Sequence, residues 1–370
     1  MEKGISTVYR ADFRATTQRN LFHKLDDLLF RTGLPAKFKK GHLVAIKLHF
    51  GERGNTAYIR PVFVRHIVEM VRQTGAHPFL TDTNTLYVGE RTNSATHIER
   101  AILNGFDFAV AGAPVIIADG LRGESAVRVE VGGRHLKEVS IAREIASSDG
   151  LVVLTHFKCH ELTGFGGALK NVGMGCASRE GKLAQHSQCA PKVSQEQCTA
   201  CGECALYCPA DAISLEGRAV IDDKLCTGCS HCIAVCPEGT IKVQWNESAS
   251  KVQEKMVEHI KGALRGKEGR TLYVNFINQV TPLCDCYGHT DAPIVPDIGI
   301  LASTDPVAID QASVDLVNAQ DGFRNSALTS GHEPGGDKFR GVHPVIDWEI
   351  QLVYAEKLGL GSRGYRIEEV

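Results

Sequence analysis

No stretch of the 370-residue chain reaches the apolar length that a membrane-spanning helix needs, so a membrane protein is not expected. A basic block is missing too. Lys and Arg number 41 against 43 Asp and Glu, for a formal net charge of −2, which leaves a phosphate-neutralising nucleic-acid face unsupported. The first ten residues, Met1 to Arg10, carry no apolar core of the kind an export signal uses. No coiled-coil heptads can be recognised, and the GK[ST] of a phosphate-binding P-loop is absent. What is abundant is cysteine. Thirteen cysteines without an export signal lead to the expectation of a reducing cytoplasm, where thiolates hold metal rather than forming disulfides.

Eight of the cysteines form a tandem repeat. Cys198, Cys201, Cys204 and Cys208, followed by Pro209, recur as Cys226, Cys229, Cys232 and Cys236, followed by Pro237. Each run is C-x2-C-x2-C-x3-C-P, the spacing by which bacterial-type ferredoxins hold [4Fe–4S] clusters, and the fourth cysteine of each run ligates the other run's cluster. The expected sets are Cys198, Cys201, Cys204 and Cys236 for one cluster, and Cys226, Cys229, Cys232 and Cys208 for the other. Gly202, Ala205, Gly228 and Ser230 are small enough to let backbone amides approach the sulfurs. Zinc ribbons share the C-x2-C spacing, but two closely packed proline-capped quartets argue against them. A short apolar segment follows each run, Ala212–Leu215 and Thr240–Val243, as expected of two half-modules related by a pseudo-twofold axis.

Outside this module short apolar runs alternate with helical patterns, the signature of βαβ units. Strands are expected at His42–Leu48, Pro78–Thr81, Leu151–Leu154, Thr271–Ile277 and Ile298–Ala302. Helices are expected at Pro61–Arg72, Ile141–Ser147, Ala249–Ala263 and Thr304–Val317. Because such elements lie on both sides of the cysteines, the expected fold is an α/β host with a largely parallel sheet, built from residues 1–187 and 247–370. A two-cluster ferredoxin-like α+β module, 188–246, is inserted in it.

Two strands end alike, in His49-Phe50 and His156-Phe157, and others deliver Asp82, Asn275, Asn278 and Asp305 at their ends. Ligands of open parallel sheets bind at the strands' carboxyl ends, so the two histidines face one cavity if their strands are parallel neighbours. Each alone reads rather as a strand cap bonded to a loop carbonyl, and it is their repetition that favours a shared site. The segment His156–Cys176 adds Lys158, His160, Thr163, Lys170 and five glycines, the composition of a site that holds an anion or a metal-bound ligand. It lacks the G-x-G-x-x-G of a dinucleotide site. Its bland reading is a tight connection into the module. Of the other cysteines (159, 176, 189, 284 and 286), Cys284 and Cys286 can reach one metal together with His156, His160 or Cys159 only if their segment is a turn, which Pro282 and Gly288 favour.

These segments together resemble the iron–sulfur centre proteins catalogued as domain of unknown function 362. The resemblance rests on Lys47-x-His49-x-Gly51-Glu52, on His156-x-Lys158-x-His160 through Lys170-Asn171-x-Gly173-Met174-Gly175, on the double cysteine motif, on Cys284-Asp-Cys286, and on Ala302-Ser-Thr-Asp305-Pro306-Val-Ala-Ile-Asp310. It implies an α/β host with a ferredoxin insert and a cytoplasmic redox setting, and it implies no particular substrate.

The expected function is a ferredoxin-linked oxidoreductase. Two [4Fe–4S] clusters relay electrons, exchanged with a redox partner protein, to a host site where His49, His156, Lys158, His160 and Lys170 bind a small anionic substrate or move its protons. An additional host metal is a further expectation. The alternative is a non-enzymatic electron carrier or a metal- or cluster-handling accessory protein.

Overall fold

In a computed structural model of the chain, which describes residues 4–87 and 89–370, eight strands form one central sheet. Met1 to Lys3, part of the amino-terminal stretch read above, lie outside the described residues. In chain order the strands are β1 (Ser6–Ala11), β2 (Leu43–Lys47), β3 (His77–Asp82), β4 (Val115–Ile117), β5 (Gly150–His156), β6 (Thr271–Ile277), β7 (Gly299–Ser303) and β8 (Tyr365–Glu369). They lie side by side as β8-β1-β7-β6-β5-β2-β3-β4. From β4 to β6 every pairing is parallel, and β8 is parallel to β1, whereas β7 runs antiparallel to both its neighbours.

Both faces of this sheet are covered, which is why its central strands read as unbroken apolar runs. Along β5, Leu151 and Val153 pack into the core on one face, with Val172, Met256 and Ile309. Val152 and Leu154 alternate to the other core, with Leu25, Val64 and Ile67. Each such side chain contributes roughly 1.5–3 kcal/mol when fully buried. The helix α1 (Pro61–Gln73) starts with proline at its first position and buries Val64, Ile67, Val68 and Val71, as its spacing predicts. On the first face lie α2 (Ala168–Gly173), α3 (Arg179–His186), α4 (Ala249–Leu264) and α5 (Pro306–Asn318), the last capped by the Asp305 carboxylate.

Two expectations change. Ile141 and Ala142, read as the start of a helix, finish the strand Glu138–Ala142, which pairs with Ala126–Glu130; the helix is only Arg143–Ser147. Val139 to Ala142 are all buried there, so strand pairing in the interior prevails over helix formation. The reversed β7 carries Asp305 to the opposite edge of the sheet from the ends of β2, β3 and β5. There it accepts hydrogen bonds from Ser6 Oγ and the Ser362 amide.

Residues 188–246 hold two small two-stranded sheets and two short helices, Glu203–Leu206 and His231–Val235. The repeat is visible in the backbone. Ala200 and Gly202 (φ 55° and 86°) match Gly228 and Ser230 (φ 72° and 64°), so even a serine adopts the left-handed conformation that the cysteine spacing imposes. No helix among the described residues is long and apolar enough to cross a membrane.

Candidate functional site

The carboxyl ends of β2, β3 and β5 open into a cavity of about 800 Å³. β2 and β5 are parallel neighbours, and His49, His156, Lys158, His160 and Lys170 all line this one cavity, together with Cys284 and Cys286. The side chains nevertheless fall into groups with different capacities.

His156 and Lys158 converge on Asp285, a fully buried carboxylate. His156 Nδ1 lies 2.8 Å from one carboxylate oxygen, and Lys158 Nζ donates to the other at 3.0 Å. His156 Nε2 faces the Asn278 and Gln279 carbonyl oxygens at 2.9 and 3.2 Å, which can only accept. Both ring nitrogens are therefore engaged, and the ring is left with no lone pair for a metal. Lys158 also donates to the His156 carbonyl at 2.7 Å. Burial alone would raise the Asp285 pKa, but the charges of His156 and Lys158 outweigh it and hold this carboxyl well below the usual range.

His49 keeps a free function. His49 Nδ1 accepts the Gly51 amide at 2.9 Å, which places the proton on Nε2, and that atom is buried without a partner in the cavity wall. Burial, reinforced by the Arg91 charge, pushes the His49 pKa down to about 3, so the ring is neutral. His160 likewise accepts the Leu162 and Thr163 amides at Nδ1, at 3.1 and 3.3 Å, and its Nε2 lies 3.7 Å from the Glu161 carboxylate.

Cys284 and Cys286 lie on a turn closed by the Tyr287 amide donating to the Cys284 carbonyl at 3.1 Å. Both thiols line the cavity. Lys170 Nζ donates to Cys284 Sγ at 3.5 Å. Burial would lower the Lys170 pKa, but the sulfurs of Cys284 and Cys286 and the Glu161 carboxylate raise it well above its ordinary value.

A second ionic cluster forms the far wall. Lys47 Nζ pairs with Asp82 at 2.9 Å and donates to Asn171 Oδ1 at 2.8 Å, while Arg91 Nε donates to Glu52 at 3.0 Å. Burial opposes the ionised form of Asp82, but the charges of Lys47 and Arg91 hold it well below the carboxylate range. Arg91, Lys182 and Asp285 are site residues the sequence reading did not single out. Asp285 was in view within Cys-Asp-Cys, but its partners lie more than a hundred residues away and leave no local spacing.

The glycine-rich segment serves packing more than ligand binding. The first amides of α2, at Ala168 and Leu169, donate to the buried Asp310 carboxylate at 2.7 and 2.8 Å. Those donors are already satisfied. A Cβ at Gly167 would overlap Asp310, and one at Gly164 would overlap Trp348. Thr163, expected as an anion donor, gives its hydroxyl to the Phe165 carbonyl at 2.7 Å. Asn275 is bonded to Asp310 and Ser313.

The eight repeat cysteines surround two smaller voids. One is lined by Cys198, Cys201, Cys204 and Cys236, the other by Cys208, Cys226, Cys229 and Cys232. Among the described residues, no three His, Cys, Asp or Glu side chains stand in closed metal-binding geometry, so each quartet rims a void rather than forming a finished cage. Cys204 and Cys232 share a small core with Leu183 of α3 and with Leu86. Leu86 also lines the large cavity, as does His186, whose ring meets Trp245 edge-on at 5.0 Å. The segment thus abuts the cavity wall. Cys201 is exposed on its outer side.

A family model described as Domain of unknown function (DUF362) matches residues 44–315. No curated protein matches the chain. Among solved structures, the lactate racemase apoprotein from Thermoanaerobacterium thermosaccharolyticum is similar at 14% identity and a TM-score of 0.36, over 74% of this chain and 51% of that one. A crystal structure of a protein from Thermotoga maritima is similar at 10% identity and a TM-score of 0.39, over 93% and 60%. The chain spans between half and three fifths of the length of these two proteins.

Proposed function

The chain belongs to the DUF362 family, and on that premise we propose that it is a cytoplasmic iron–sulfur oxidoreductase acting on a small anionic substrate. The observation that carries this reading is that each crossed cysteine quartet lines a void of its own, Cys236 among the first run and Cys208 among the second. In the proposal Cys198, Cys201, Cys204 and Cys236 hold one [4Fe–4S] cluster of a ferredoxin-like module, and Cys226, Cys229, Cys232 and Cys208 hold the other. When bound, such clusters supply single-electron chemistry.

The protein's own residues give this module an outer and an inner side. Exposed Cys201 faces a redox partner protein, whereas the Leu86–Leu183 contact leads toward the large cavity. Within the cavity, the partnerless His49 Nε2–H offers a hydrogen bond to an anionic group. Lys182, which touches no carboxylate, adds positive charge: its three hydrogen bonds go to Thr83 Oγ1, the Asn84 carbonyl at 2.7 Å and the Ala177 carbonyl at 3.2 Å. Lys158 contributes by fixing Asp285 rather than by reaching the substrate.

The test is an iron, acid-labile sulfide and total metal analysis of protein purified without oxygen. About eight iron and eight sulfide per chain are expected, with cluster content reduced by both Cys208→Ser and Cys236→Ser. Zinc in place of iron would overturn the proposal.

A further inference from the structure

We propose that Cys284 and Cys286 form a redox-active dithiol–disulfide pair in the wall of the large cavity, where two single electrons are combined for a two-electron reduction. This rests on the reading above for the source of the electrons, a low-potential one-electron donor acting through the cysteine-rich module. The pair itself is argued from its own geometry.

Three features set these thiols apart from the host's other cysteines. They lie two residues apart on a closed turn, line the same cavity and have the Lys170 ammonium donating to one of their sulfurs. Cys159 and Cys176, in contrast, are buried in the apolar core, where burial pushes the Cys176 thiol up to about 11. The two thiols of the turn are also unequal. The neighbouring Cys286 thiol, the Lys170 ammonium 3.5 Å away, and His160 together hold Cys284 well below the ordinary thiol range despite burial. Cys286 is pushed up by its close neighbour Cys284 and by burial. One thiolate next to one thiol is the arrangement of an attacking and a resolving cysteine.

The turn is also held rigid. Asp285, between the cysteines, is clamped by His156 and Lys158. Its carbonyl accepts the Glu52 amide at 3.1 Å, and the Cys286 carbonyl accepts the Tyr87 hydroxyl at 3.3 Å. Asp285 is thus a positioning residue.

The chemistry balances within the pair. A Cys284–Cys286 disulfide takes up two electrons and one proton. The S–S bond breaks, Cys284 leaves as a thiolate facing Lys170, and Cys286 becomes a thiol. A two-electron acceptor bound in the cavity returns the pair to the disulfide.

The experiment uses the intact chain purified without oxygen, with iron and sulfide assayed on the same sample. It is equilibrated with mixtures of oxidised and reduced dithiothreitol, quenched in acid and alkylated, and the peptide containing residues 284 and 286 is read by mass spectrometry. The expected result is an intramolecular disulfide at oxidising poise and a doubly alkylated peptide at reducing poise. Reductive titration of the oxidised protein should consume about four electrons per chain, one per cluster and two for the disulfide, falling to about two in Cys286→Ser with iron unchanged.

A fully iron-loaded protein whose peptide stays doubly alkylated at every poise, or whose electron uptake equals that of Cys286→Ser, overturns the pair alone. So does a stoichiometric metal other than iron that is lost in both Cys284→Ser and Cys286→Ser. A chain without iron and sulfide that still forms the disulfide overturns the cluster reading and leaves the pair standing.

Discussion

A carboxylate removed from water costs several kcal/mol unless its oxygens are met by charge or hydrogen bonds. Asp285, with no exposure, is met on one oxygen by His156 and on the other by Lys158. Replacing it with Asn keeps the shape and leaves two buried cationic groups without their counter-charge. Asp285→Asn should therefore lose about 3–5 kcal/mol of stability in denaturant titrations near neutral pH. Because the folded-state pKa of Asp285 is depressed, its contribution is present above the unfolded carboxylate value, about pH 4, and fades as the pH falls below it. The gap between variant and wild type should narrow in acid, and a gap that does not change with pH would show that the charge is not what matters. At this scale the sequence exposed half of the arrangement. His156 and Lys158 stand out as polar residues at a strand end, but a partner reached only through tertiary folding has no periodicity to betray it. The same limit hid Asp310, which occupies the α2 amides that seemed free for a ligand.

Among the elements, those with a strong apolar pattern could be read directly. β5 and β6 are runs buried on both faces, and α1 carries its apolar residues at helical spacing. Strand direction was not readable, because antiparallel β7 is buried along its whole length just as the parallel strand β5 is. Nor was the purpose of the glycines between 164 and 175. Gly173 shows what one of them does: it ends α2 where that helix crosses α4, and a Cβ there would overlap the Met256 carbonyl oxygen of α4. That backbone atom belongs to a long helix with many buried contacts and cannot yield as a side-chain tip can. Gly173→Ala is expected to destabilise the chain by about 1–3 kcal/mol, the range for overpacking, measured by chemical denaturation. An unchanged stability would mean that the two helices separate freely, and that close packing is not why glycine stands here.

For the molecule as a whole, the question is whether the cysteine-rich segment is a true insertion. Its two ends come together: the Gln188 amide donates to Asn246 Oδ1 at 3.1 Å, and the Glu247 amide donates to the His186 carbonyl at 3.4 Å. The chain can therefore leave and re-enter the host at nearly one point, where α3 finishes and α4 is about to begin. The segment packs around its own apolar residues, Val193, Ala219, Ile233, Ile241 and Val243, and among the described residues only Leu86 and Leu183 of the host join that cluster as buried members. Exposing those two leucines costs roughly 3–6 kcal/mol at 1.5–3 kcal/mol each, a small part of what the two large host cores bury. Replacing residues 189–245 by a short Gly-Ser linker should accordingly leave a chain that keeps helix and sheet signals in circular dichroism, unfolds in one cooperative transition at lower temperature than the parent, and retains no iron. An excised chain that fails to fold would mean that the segment completes the host core. One that folds but reacts identically with a low-potential donor would separate the host's chemistry from the cysteines altogether, and with it the route by which electrons are proposed to reach Cys284 and Cys286.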